Sequence, residues 1–69
     1  MSITSAVRQV SFRNREAALG NSGVLYAEVC VLMGCSRPED SPNPGSVHRI
    51  YLRHREEAIA YWRDKNRGL

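Results

Sequence analysis

The sequence predicts an all-α protein, a helical hairpin of two main helices joined by a proline-rich loop, on three observations. Apolar residues recur three and four positions apart from Val47 to Arg67. A shorter segment, Val24–Met33, repeats that spacing and runs into Gly34, a residue suited to closing a helix. Between them, residues 35–45 hold Pro38, Pro42 and Pro44 beside Glu39 and Asp40, which is turn chemistry.

The C-terminal helix is the clearest element. At about 100° per residue, Val47, Ile50, Tyr51, Ala58 and Tyr61 share one face, and Arg49, Arg53, Glu56, Arg63 and Arg67 lie opposite. Pro44 suits a first helical position with Asn43 as cap, Ser46 offers a slightly later start, and Gly68 supplies the stop. In the middle segment, Leu25, Tyr26, Val29, Leu32 and Met33 follow the helical pattern. Because Val29–Met33 is nearly all apolar, burial on most sides is expected.

Upstream, two readings stand. Phe12, Leu19, Tyr26 and Met33 recur every seven residues, which suits one helix from Ser11 to Met33 packed along a seam. Gly20-Asn21-Ser22-Gly23 interrupts it, and two interior glycines cost about 2 kcal/mol relative to alanine. The first helix is therefore either continuous or broken at Gly20–Gly23, with Ser22 capping the second half. Residues 1–10 are open to a helical turn, a strand or a flexible arm.

With 69 residues the chain holds a single domain, residues 1–69, of a size that buries a modest share of its surface. Two cysteines make no disulfide framework, and no apolar run suits a leader peptide or a membrane span. The expectation is a cytoplasmic protein with free thiols. Two antiparallel helices cannot enclose a core, so a second copy is expected to complete a four-helix arrangement as a homodimer.

Chemistry is sparse. Cys30, Cys35, His48 and His54 read C-x4-C-x12-H-x5-H, within the loosest limits of a zinc finger. The aromatic and leucine that build a finger's core are missing from residues 36–47, and His48 and His54 sit about 240° apart on a regular helix. The expectation is no metal and no cofactor. A Cys35–histidine nucleophile lacks an ordered third group and the walls of a substrate pocket. Gly20-Asn-Ser-Gly23 has neither the strand nor the lysine of a phosphate loop.

Binding is better represented. Ala27–Ser36 resembles the first helix and turn of a helix-turn-helix, and Ser46–Arg53 would then carry Arg49 and Arg53 into a DNA groove. About ten residues intervene where three or four belong. The arginine stripe also fits a solvated face, since Glu56 interrupts it and Glu57 can pair with Arg53. At the edge of the apolar face lie Tyr51, Arg55, Ile59 and Trp62, residue types typical of binding hot spots, with Phe12 as a second anchor.

The function expected is a small non-enzymatic regulatory or inhibitory protein that docks on a larger protein, such as a transcription regulator or another host factor. It would cover that target's working surface, in the manner of phage anti-activators and defence inhibitors. The alternative is a small DNA-binding transcriptional regulator with a degenerate helix-turn-helix. A net charge of +3, almost all arginine, is compatible with either partner.

Overall fold

The computed structural model describes residues 1–35 and 37–67, and all its regular structure is helical. Four α-helices follow in order: α1 (Ile3–Arg13), α2 (Arg15–Ala18), α3 (Ser22–Met33) and α4 (Pro44–Arg67). A short 3-10 turn, Pro38–Asp40, lies in the connection before α4. None of these helices is long and apolar enough to cross a membrane.

Asparagines and serine set the helix starts. Ser2 Oγ accepts from the Ser5 amide at 3.2 Å to open α1. Asn14 then turns the backbone to extended angles, ends α1, and accepts from the amides of Glu16 and Ala17 to begin α2. Asn21, one residue before the expected Ser22, accepts from Val24 N–H and caps α3. Asn43 accepts from Gly45 and Ser46 at 2.7 and 3.4 Å, so Pro44 occupies the first turn of α4, where its missing N–H costs nothing. The stop assigned to Gly68 lies outside the described residues.

The upstream segment is neither one helix nor a simple pair. It breaks twice, at Asn14 and across Leu19–Asn21, where Gly20 takes φ +101°. The seven-residue repeat therefore forms no continuous seam, and Leu19 is 57% exposed.

Residues 3–10 belong to the centre of the molecule. Ala6, Val7, Val10 and Ser11 of α1 are buried, together with Ala17, Leu25, Val29, Val47, Ile50 and Tyr51. α1 packs against α3 on one side and α4 on the other, more extensively than α3 and α4 meet each other. The two arms of the expected hairpin are thus held apart by a third helix. Contacts rise in register along α1 and α4, with Arg8 beside Glu57, Phe12 beside Tyr61 and Ser11 beside Trp62, so the two run in the same direction. A core closes within one chain, and the open hairpin that called for a second copy is not what the chain forms.

α3 is covered on one side only. Leu25 and Val29 are buried, while Val31 is 75% exposed, which corrects the expectation of burial on most sides. The reason is its place at the edge of the bundle. Ser11, the buried polar residue of the core, is satisfied because its hydroxyl donates to the Val7 carbonyl at 2.9 Å.

Candidate functional site

An aromatic ridge forms where the last turn of α1 meets the C-terminal half of α4. The Phe12 and Tyr61 rings meet edge-to-face with centroids 5.1 Å apart, and Tyr61 meets Trp62 the same way at 5.5 Å. Two cations flank these rings. The Lys65 ammonium stands 5.0 Å from the Trp62 centroid and 5.8 Å from that of Tyr61, while the Arg8 guanidinium lies 6.0 Å from Phe12. Each distance is within cation–π range, worth about 0.5–1 kcal/mol at exposed sites.

Sequence and packing together explain the ridge. Phe12 follows the buried Ser11, so its ring falls at the flank of α1, and Asn14 ends the helix two residues later. Trp62 is anchored by its indole N–H, which donates to the Ser11 carbonyl at 2.8 Å. That carbonyl lies in the last turn of α1, where Asn14 has removed the next helical donor. Tyr61 stays 41% exposed because α1 stops short of covering it. The result is two half-buried rings and one accessible ring, with a hydroxyl at its tip.

The residues singled out in the sequence divide among three environments. Phe12 and Trp62 are brought together in the ridge. Tyr51 is not at the surface: it is 3% exposed, and its hydroxyl donates to the Ala18 carbonyl at 2.8 Å. It belongs to the core because α2 folds back over it, and it has no area to offer a partner. Arg55 and Ile59 lie elsewhere on α4, along a shallow trough that also includes Leu52, Glu56 and Arg63. All of the trough's lining comes from one helix, so it is a space between long side chains and not an enclosed pocket. Arg49 and Arg53 are exposed. Glu57, expected to pair with Arg53, instead reaches Arg8 of α1 at 3.1 Å, with His54 at 3.9 Å on its other oxygen.

Sequence reasoning missed three members of the ridge. Tyr61 was assigned to the apolar face of α4, and Arg8 and Lys65 were passed over. Arg8 stands one helical turn from Phe12 on α1, and Lys65 one turn from Tyr61 and Trp62 on α4, so these pairs were readable from helical spacing. Only the parallel alignment of α1 with α4, which brings Phe12 to Tyr61, has no local signal.

The four residues of the zinc-like pattern are not gathered. His48 is exposed on α4, His54 faces Glu57, and among the described residues no group of three or more metal-ligating side chains forms. The helix-turn-helix resemblance also loses its turn, since α3 ends at Met33 and α4 begins at Pro44.

At the far end of the molecule, Tyr26 on α3 donates its hydroxyl to the Pro42 carbonyl at 2.9 Å, and the Cys35 thiol donates to the Asp40 carbonyl at 3.2 Å. Partial burial pushes both groups above their ordinary pKa values. The neighbouring Cys30 adds to the upward shift of each, while Ser41 works against it at Tyr26. These bonds tie the connection to α3.

The chain matches no protein-family model, no curated protein and no solved structure.

Proposed function

We propose that this is a small, non-enzymatic regulatory protein that binds a larger protein and covers its working surface, with the ridge of Phe12, Tyr61 and Trp62 as the contact. The observation that carries this reading is the ridge itself: Tyr61 in edge contact with Phe12 on one side and Trp62 on the other, flanked by Arg8 and Lys65. Aromatic and arginine side chains dominate binding hot spots, since they bring large area at low conformational cost. The flanking cations favour a partner surface with carboxylates around an apolar depression.

A catalytic reading finds less support, because the surface depressions at the ridge and along α4 are each lined by a single helix. They lack the converging walls that hold a small substrate.

The test pairs the wild-type chain with Tyr61→Ala and Lys65→Glu, both exposed and neither part of the core. A partner protein recovered by cross-linking is purified, and its affinity for each chain is measured. We expect each substitution to weaken binding at least about tenfold, the scale of a hot-spot residue, with helicity unchanged. Equal affinity for all three chains would remove the ridge from the interface. Duplex DNA is titrated alongside at two salt concentrations, and tight binding that falls steeply with salt would favour the DNA-binding alternative. Light scattering on the same samples tests the homodimer, which a core closed within one chain no longer requires.

A further inference from the structure

Cys30 and Cys35 occupy two linked positions of a helix stop. At the end of α3 the Cys35 amide donates to the Cys30 carbonyl at 3.0 Å, and the Gly34 amide donates to the Val31 carbonyl at 3.2 Å. Gly34 takes the left-handed conformation at φ +70°. This is the Schellman arrangement, in which the residue after the glycine folds back onto the helix and its side chain meets that of the residue it bonds. Apolar side chains usually make this contact. In this chain both are cysteine, both half-buried and both free.

The geometry points to a reversible intramolecular disulfide between Cys30 and Cys35, formed by exchange with an oxidised low-molecular-weight thiol such as glutathione disulfide. One cysteine thiolate attacks a sulfur of glutathione disulfide; that S–S bond breaks, and one glutathione leaves as its thiolate. The second cysteine then attacks the protein sulfur of the mixed disulfide, the protein S–S bond forms, and the second glutathione leaves. Two protein thiols give up their protons and two electrons pass to glutathione disulfide, which ends as two glutathione thiols. The helix stop favours the second step, because it keeps the resolving thiol beside the mixed disulfide at high effective concentration.

Oxidation changes what the connection is tied to. In the reduced chain the Cys35 thiol donates to the Asp40 carbonyl and closes residues 35–40 into a small ring. A disulfide has no hydrogen to donate, so that bond is lost while the end of α3 is locked. The bond between Tyr26 and Pro42 does not use either sulfur and stays in place. The pair thus exchanges a loop clasp for a helix-end clasp, at the opposite end of the molecule from the aromatic ridge, and independently of what the ridge binds.

The full chain is equilibrated with buffered mixtures of reduced and oxidised glutathione, native and in concentrated urea, then quenched with acid and weighed intact. We expect the native chain to lose two hydrogens without gaining glutathione or a second chain. Its ratio of disulfide to dithiol should exceed that of the unfolded chain at least about tenfold, as a preorganised pair requires. An equal or lower ratio in the native chain, glutathione adducts on both cysteines, or cross-linked chains would overturn the proposal. In Cys35→Ser the reaction should stop with one glutathione on Cys30, and a Cys30 that takes up none would overturn the exchange route.

Discussion

The indole nitrogen of Trp62 and the carbonyl of Ser11, 51 residues apart in sequence, are joined by a 2.8 Å hydrogen bond. Tyr51 does the same for α2, where its hydroxyl donates to the Ala18 carbonyl at 2.8 Å. Both carbonyls lie at helix ends that the chain leaves without a helical donor. α4 therefore closes two neighbouring helices with side-chain donors, besides burying their apolar faces.

Trp62→Phe keeps an aromatic ring on the ridge and removes the donor. The carbonyl of the buried Ser11 is then left open beside a part-exposed ring, which costs about 1–2 kcal/mol of folding stability. Urea unfolding followed by circular dichroism measures it, and an unchanged midpoint would show that water replaces the indole without loss.

Tyr51→Phe removes one oxygen from a residue only 3% exposed. The Ala18 carbonyl loses its partner in a drier place, so a loss of about 1–3 kcal/mol is expected. A cost clearly below that of Trp62→Phe would mean that α2 shifts to find another donor.

Gly20→Ala places a Cβ at φ +101°, where L-residues are strained. The new methyl would meet the Tyr51 hydroxyl at 3.5 Å, an ordinary contact, so the penalty comes from the backbone. A destabilisation of about 1–2 kcal/mol is expected, and a stabilised variant would mean that the helix runs through this position.

Ala58→Asp introduces a carboxylate at a site with 0% exposure inside a single chain. An unpaired buried charge costs about 3 kcal/mol or more. A domain of this size is stable by only about 3–10 kcal/mol, so the variant should lose helicity at every protein concentration. A loss that appears only on dilution would instead locate Ala58 between copies.

Alkaline pH should weaken the fold through Tyr26 and Cys35. The unfolded chain releases these protons near the ordinary values of 10.0 and 9.0, whereas partial burial makes the folded chain hold them longer. Above about pH 9 the unfolded state binds fewer protons, so the stabilising contribution, complete at lower pH, is lost as pH rises through the folded values. Urea midpoints at neutral and alkaline pH test this, and Tyr26→Phe should flatten the decline.

What was legible in the sequence was local. The start of α4 at Asn43-Pro44 and the stop of α3 at Gly34 follow from what those residues do to their own backbone, and both could be read without a partner in view. The break at Asn14 could not, because an asparagine inside a polar stretch looks the same whether it caps a helix or faces solvent. α1 was open to reading, since Ile3, Ala6, Val7 and Val10 stand three and four apart. The pattern lasts only 11 residues, however, and is written in small side chains among serines, threonine and glutamine, which made it easy to pass over. With α1 unplaced, Tyr61 fell on the inner face and Tyr51 among the binding candidates, the reverse of their exposures. Phe12 and Trp62 were legible because a large ring with a polar or basic neighbour signals an edge in almost any packing.

The position of α1 between α3 and α4 also sets an order of events. Its contacts with α4 join residues 49 and 51 positions apart, so they form only after most of the intervening chain exists. During synthesis α1, α2 and α3 emerge first, yet the surfaces that Val7 and Val10 offer to α4 stay wet until Val47–Trp62 has left the ribosome. Topology of this kind slows closure relative to a bundle of sequential neighbours. From the emergence of α1 until that of α4 the growing chain therefore carries an uncovered apolar stripe, and a pause before α4 would prolong its exposure to chaperones and proteases.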